Sequence, residues 1–279
     1  MFYADDCALV AHSEVALQRI VSLFNHAVEQ FGLEVNVSKT QILYQNPQGA
    51  QPPTIEINGE QLKVTKSFTY LGSIVTNTCD LDKEITTRIA RASAAYGRLN
   101  SRVWRSRDLR LKTKAAVYRA TVIPVLTYCC EKWTLYASQR RRLEAFHMRC
   151  LRKIAGVKWW HKVTNEEVLR RMAIPSMTKI LATAQLRWVG HVMRMEDERI
   201  PKQVLHCELD HGTRRVGRPY KRFKDQVKQL VCTVNNDDWQ TTAQDRSRWR
   251  TFVEAAADKA EEAESLRRRQ RNRKTKVSS

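Results

Sequence analysis

Residues 2–6 read Phe-Tyr-Ala-Asp-Asp, so two carboxylates stand side by side behind an aromatic-small pair. An apolar run, Cys7-Ala8-Leu9-Val10-Ala11, follows directly. This pattern predicts a tight β-hairpin with an acidic tip, leading into a strand that continues to residue 11. Adjacent acids on such a tip repel each other unless a divalent cation sits between them and a phosphate. Asp5 and Asp6 are therefore candidate metal ligands. Taken alone, the pair reads as an ordinary surface turn.

A second set of residues could grip polyanions. The net charge of the chain is +20. Residues 1–75 hold four Lys/Arg and seven Asp/Glu, a net of −3, so the remainder carries 45 basic and 22 acidic residues, a net of +23. A basic excess of that size favours nucleic acid as partner. Arg214, Arg215, Arg218, Lys221 and Arg222 cluster in a glycine-bearing stretch and are candidate phosphate contacts. Trp159 and Trp160 lie among Lys158, His161 and Lys162. Such interleaving suits base stacking, but core packing in a seam between two helical domains is the favoured expectation.

The seven cysteines form no regular framework, and residues 1–12 lack the features of a secretion signal. Reduced thiols in the nucleus or cytoplasm are expected rather than disulfides. His206, Cys207 and His211, with Cys232 or His191, make a metal-like cluster whose spacing fits no standard zinc site; loop residues are the expectation. No apolar run is long enough to span a membrane.

The elements that must position these residues change in texture along the chain. Leu17, Ile20, Val21, Phe24, Val28 and Phe31 recur at helical spacing after Ser13-Glu14, and Gly32 closes the pattern. Strands are expected at 33–37, 41–45 and 68–75, with a hairpin turning on Asn58-Gly59. From residue 80 helices take over: about 80–104 as one helix capped by Asp80, then 109–122, 138–155, 164–173, 176–195, 219–232 and 245–270.

Three motifs stand in a telling order: Phe2-Tyr3-Ala4-Asp5-Asp6; Phe31-Gly32-Leu33-Glu34-Val35-Asn36-Val37-Ser38-Lys39-Thr40; and Phe68-Thr69-Tyr70-Leu71-Gly72-Ser73-Ile74-Val75. Together they resemble the reverse transcriptase of non-LTR (LINE-type) retrotransposons. Arg187-Trp188-Val189-Gly190-His191-Val192-Met193-Arg194, Gly217-Arg218-Pro219, Trp239, Asp245-Arg246 and Trp249-Arg250 are similar to the C-terminal extension of such elements. The resemblance implies that Asp5 and Asp6 are catalytic and bind Mg2+ in the complete enzyme. It implies that Lys39 protonates the leaving pyrophosphate. It makes Tyr70, Leu71 and Gly72 part of a primer-grip turn near the primer's 3′ end, where a glycine lets two backbones approach.

The expected fold is α+β: a small N-terminal α/β remnant of the polymerase palm (1–76), a helical thumb (77–156), a basic helical extension (157–260) and a basic tail (261–279) that is disordered or helical only when bound. The expected partners are an RNA template and a DNA primer or target, with no membrane. In the family the fingers and most of the palm precede the Asp-Asp hairpin, with the first metal-binding aspartate among them. A two-ion site draws carboxylates from more than one strand. The chain therefore reads as part of an RNA-directed DNA polymerase that is inactive by itself. The alternatives are a non-enzymatic RNA- or DNA-binding protein derived from a retrotransposon, and a remnant with no stable fold.

Overall fold

The computed structural model describes residues 2–45, 51–207, 221–234 and 238–277, with side chains from Tyr3 and as far as residue 270. The fold is α+β and mostly helical. It divides into two compact units, 1–84 and 85–279.

Among the described residues, unit 1 holds four two-stranded sheets and one long helix. Strands β1 (Phe2–Tyr3) and β2 (Asp6–Cys7) pair antiparallel, Tyr3 opposite Asp6. The strand ends at Cys7 rather than running to residue 11, and Leu9 packs instead against the core of this unit. Helix α1 (Glu14–Glu29) begins at Ser13, whose hydroxyl accepts from the Ala16 N–H at 3.2 Å. It ends where Gly32 adopts a φ of 70°. There Leu33 N–H reaches Val28 O and Gly32 N–H reaches Glu29 O, a paired exit that satisfies two terminal carbonyls.

Strand β3 (Gln41–Leu43) runs parallel to β6 (Lys63–Thr65), Ile42 beside Val64. Strands β4 (Glu56–Ile57) and β5 (Glu60–Gln61) close on Asn58-Gly59, both at positive φ, as that dipeptide predicts. Gln18 on α1 imitates a strand neighbour. Its amide donates to Glu56 O and accepts from Glu56 N–H, each at 2.9 Å. The small core comprises Val21, Ile42, Ile55, Ile57 and Leu62.

Two strand expectations in this unit are corrected. Residues 33–37 form no strand, because Asn36 captures the chain. Its side chain accepts from Ser38 Oγ and Lys39 N–H, and its carbonyl from Thr40. The segment 68–75 is two strands, β7 (Ser67–Tyr70) and β8 (Ser73–Thr76), antiparallel around a two-residue turn at Leu71-Gly72. Both turn residues have positive φ, 47° and 78°, the twist a tight hairpin needs.

Helix α2 (Asp82–Arg98) starts at the end of unit 1. Asp80 does take its first-turn N–H, that of Asp82, at 2.9 Å. The helix does not continue to Trp104. A wide turn at Asn100–Trp104 interrupts it, held by the Trp104 indole donating to Tyr96 O at 2.7 Å and stacking on the Tyr96 ring.

The rest of unit 2 is α3 (Leu111–Thr121), α4 (Ile123–Leu126), α5 (Ala137–Ile154), α6 (Asn165–Met172), α7 (Met177–Met193), α8 (Ile200–His206), α9 (Phe223–Cys232), α10 (Trp239–Gln244) and α11 (Arg246–Val277). Leu186, Val189, Met193, Val227, Val231, Trp249, Phe252 and Val253 form its core between α7, α9 and α11. Two buried glutamines, Gln185 on α7 and Gln226 on α9, are partnered to each other and to the segment before α5. Gln226 donates to Gln185 Oε1 at 2.8 Å and accepts from Leu135 N–H, and Gln185 donates to Trp133 O at 2.7 Å.

The final helix, expected over about 245–270, is α11, which runs through Val277. Ser265 donates to Glu166 at 3.0 Å and Arg268 pairs with the buried Glu144 at 3.5 Å, so cross-helix contacts hold the helix past residue 261. All seven cysteines are free. Among the described residues, no helix is long and apolar enough to cross a membrane.

Candidate functional site

The acidic tip is built as a two-residue turn, Ala4-Asp5, between Tyr3 and Asp6. Ala4 has a φ of 51°, a conformation in which Cβ crowds the following carbonyl. Backbone strain of this kind gathers at functional sites. Asp5 and Asp6 are both exposed, so their carboxylates are open to a ligand. Carboxylate oxygens are the donor type a hard divalent cation takes. Among the described residues, no group of three or more His, Cys, Asp or Glu side chains is placed to hold a metal ion.

Lys39 lies exposed at the end of the Asn36 turn, with its N–H tied to Asn36 O at 3.2 Å and to Asn36 Oδ1 at 3.0 Å. Among the described residues no ion pair joins it to Asp5 or Asp6. Tyr70, Leu71 and Gly72 form the corner of the β7–β8 hairpin, the Tyr70 ring 6.3 Å from that of Phe68.

The residue that sets this corner was not foreseen from sequence. Glu84, buried in the first turn of α2, accepts from Ile74 N–H at 2.8 Å and from the Ser73 hydroxyl at 3.3 Å. One residue earlier, the Lys83 ammonium donates to Ser67 Oγ at the other end of the hairpin. The start of α2 thus grips β7 and β8 together. The only sequence signal was an acidic residue in a helix's first turn, which is usually a dipole effect and not a tertiary one.

Of the basic stretch, Arg214, Arg215 and Arg218 lie outside the described residues. Lys221 is half-buried against Tyr136 and Leu135, and burial together with Arg140 nearby pushes its pKa down. A lysine held in that state gains from an anion. Arg222 forms a two-pronged ion pair with Asp225, in the first turn of α9, at 3.0 and 3.1 Å.

The expectation that Trp159 and Trp160 pack in a seam is overturned. Trp159 is 84% and Trp160 56% exposed, on a short 3₁₀ turn (Trp159–His161) between α5 and α6. The apolar residues that fill this region of unit 2 come from α5 and α6 themselves: Leu151, Ile154, Val168 and Met172 are buried, leaving the indoles outside.

Comparison with known proteins matches residues 1–75 to the reverse transcriptase (RNA-dependent DNA polymerase) family. A transposon-derived protein of Caenorhabditis elegans is 25% identical over 266 residues, 90% of this chain and 93% of that protein. The RNA-directed DNA polymerase from the mobile element jockey of Drosophila funebris is 24% identical over 172 residues, 59% of this chain and 19% of the polymerase. No solved structure matches the chain. The motif resemblance is thereby upheld: residues 1–75 match the reverse transcriptase family, in a chain similar over most of its length to a protein derived from a transposon.

Proposed function

We infer that this chain is a C-terminal portion of a non-LTR retrotransposon reverse transcriptase, with the end of the palm at 1–76, the thumb at 77–156, a basic extension at 157–260 and a basic tail beyond. The observation that carries this reading is the strained Ala4-Asp5 turn with its two exposed carboxylates, inside the segment that matches the polymerase family. Asp5 and Asp6 hold Mg2+ jointly with carboxylates of another strand. Lys39 works near the leaving pyrophosphate, and the Tyr70-Leu71-Gly72 corner lies against the primer. The parent reaction is RNA-templated DNA synthesis from a nicked DNA target, in the nucleus or cytoplasm.

The acidic tip supplies two acids where a two-ion mechanism needs bridging carboxylates from more than one strand. By itself the chain does not polymerise. A primer-extension assay with Mg2+ or Mn2+ tests this. Background incorporation is expected, and extension that disappears in Asp5→Asn overturns it.

The +23 excess after residue 75 favours a second reading, a nucleic-acid-binding protein derived from such an element. Here unit 2 grips RNA or DNA with little sequence preference and no chemistry follows. The two readings separate when the family's fingers and upstream palm are supplied as a second polypeptide. Restored, Mg2+-dependent extension that needs Asp5 and Asp6 supports the enzyme fragment. Binding without extension supports the second reading.

A further inference from the structure

The exposed indoles of Trp159 and Trp160 form a preorganised platform on the surface of unit 2. Helix α5 leaves through a paired C-terminal exit: Gly156 takes a φ of 65°, Val157 N–H reaches Arg152 O at 2.9 Å and Gly156 N–H reaches Lys153 O at 3.3 Å. Helix α6 enters at Thr164, whose hydroxyl accepts from Glu167 N–H. Arg152 ties the two ends, donating to Val163 O and to Asn165 Oδ1, each at 2.8 Å. Between them the chain can only bulge outward. Lys158 N–H donates to His161 Nδ1 at 3.2 Å, and Lys162 takes a left-handed φ of 51°, which closes the short turn. The two indoles meet edge to face, centroids 5.6 Å apart, and the Lys158 ammonium lies 5.9 Å from the Trp160 ring centre.

Burying neither of two tryptophans forfeits a large hydrophobic gain. Rigid presentation lowers the entropy a partner must overcome on docking. The partner's sign is set by the surroundings. From residue 145 to 165 there are five Lys/Arg (Arg149, Arg152, Lys153, Lys158, Lys162) and no Asp or Glu. The next carboxylates are engaged, Glu166 by Ser265 and Glu167 by Arg170 and Arg171. Stacking rings inside a stretch whose Lys and Arg are unopposed by any Asp or Glu fit a ligand with flat apolar faces and a phosphate backbone.

We propose that Trp159 and Trp160, with Lys158 and Lys162, are a single-strand nucleic-acid binding site that stacks unpaired bases on Trp159. This rests on the nucleic-acid reading of unit 2 and not on catalysis. Trp159, the more exposed ring, is the stacking face; Trp160 buttresses it edge-on. Duplexes are poor ligands here, because their base faces are already covered by neighbouring pairs. The site therefore serves a template or displaced strand.

The test is anisotropy of fluorescein-labelled oligo(dT) and oligo(rU), and of a duplex of equal length, titrated with the full chain at several salt concentrations. Trp159→Ala should weaken single-strand binding about five- to a hundredfold, with the salt slope unchanged, because stacking releases no counterions. Trp159→Phe should keep much of the affinity. Lys158→Ala with Lys162→Ala should instead flatten the slope, by about 0.7 for each lost phosphate contact. Duplex affinity should not respond to Trp159→Ala. Equal single-strand binding by wild type and Trp159→Ala overturns the proposal, leaving the indoles as a face for a protein. No salt-dependent binding by any form, at the lowest salt, overturns both the proposal and the nucleic-acid reading. Far-UV circular dichroism of each variant verifies that the exposed substitutions leave the helices intact.

Discussion

The indole of Trp249 occupies the space that a side chain on residue 190 would need. A Cβ built on Gly190 would lie 2.0 Å from Trp249 Nε1 and 2.3 Å from Cδ1. The same Nε1–H donates to Leu186 O at 2.9 Å, the carbonyl one helical turn before Gly190. Helices α7 and α11 thus meet at backbone distance, and the Trp249 ring, stacked on Phe252 at 4.9 Å, becomes the key between them. Two motifs about sixty residues apart, one around Arg187-Trp188-Val189-Gly190 and one around Trp249-Arg250, are halves of a single packing event.

Gly190→Ala should therefore cost about 3 kcal/mol, more than an ordinary overpacked core site, because the obstructing atoms belong to a rigid, hydrogen-bonded ring. Urea denaturation of unit 2 measures it. Trp249→Leu removes the obstruction, so the alanine should cost much less in that background. Additive losses would show that the two residues do not meet as described.

Glu84 makes a second separable prediction. Removing its carboxylate in Glu84→Ala leaves the Ile74 N–H and Ser73 hydroxyl without their acceptor, at a cost of about 1–3 kcal/mol. Hydrogen exchange at Ile74 should accelerate, while amides of α7 and α11 keep their protection. Uniform acceleration throughout the chain would contradict a local clamp.

His147 predicts an acid limb in stability. It is fully buried, and desolvation pushes its pKa down from 6.5 to about 4, against an opposing hydrogen bond to Pro175 O. Nε2 faces that carbonyl at 3.1 Å and so carries the proton; Nδ1 accepts from the Tyr118 hydroxyl at 3.1 Å. A depressed histidine pKa means that the unfolded chain binds the proton more readily. Its contribution is complete above pH 6.5 and is lost as pH falls towards about 4, up to about 3 kcal/mol. Burial raises the pKa of Glu144, which acts in the opposite direction. The informative quantity is thus a difference. Denaturation of wild type and His147→Gln between these pH values should show a shallower acid limb in the variant, and identical limbs would reject the assignment.

For the basic stretch, alanine at Arg214, Arg215 and Arg218 should flatten the slope of log affinity against log salt by about two to three units on duplex DNA if all three meet phosphates. An unchanged slope would assign these cations to solvent or to protein. Trp159 variants leave that slope alone, so the two experiments report on different chemistry.

Much of the local structure was legible because it depends on near neighbours. Asn58-Gly59 specified its hairpin, Ser13 and Gly32 bounded α1, and the helices from α3 onward largely follow their apolar periodicity. The Asp5-Asp6 tip and the order of the three motifs were enough to point to a polymerase, since that signal lies in residue identity. Tertiary structure decided what identity and spacing leave open. Leu71 at positive φ has no propensity signature; the family resemblance pointed to a turn there, but only the pairing of β7 with β8 made it a two-residue hairpin turn at Leu71-Gly72. Glu84 became a clamp because a distant hairpin presents its N–H to it, and a first-turn glutamate looks the same without one. Trp159 and Trp160 are apolar enough to be core, but Arg152 locks the flanking helix ends so closely that the turn between them projects into solvent. Burial is a property of the whole packed chain, and composition supplies only the tendency.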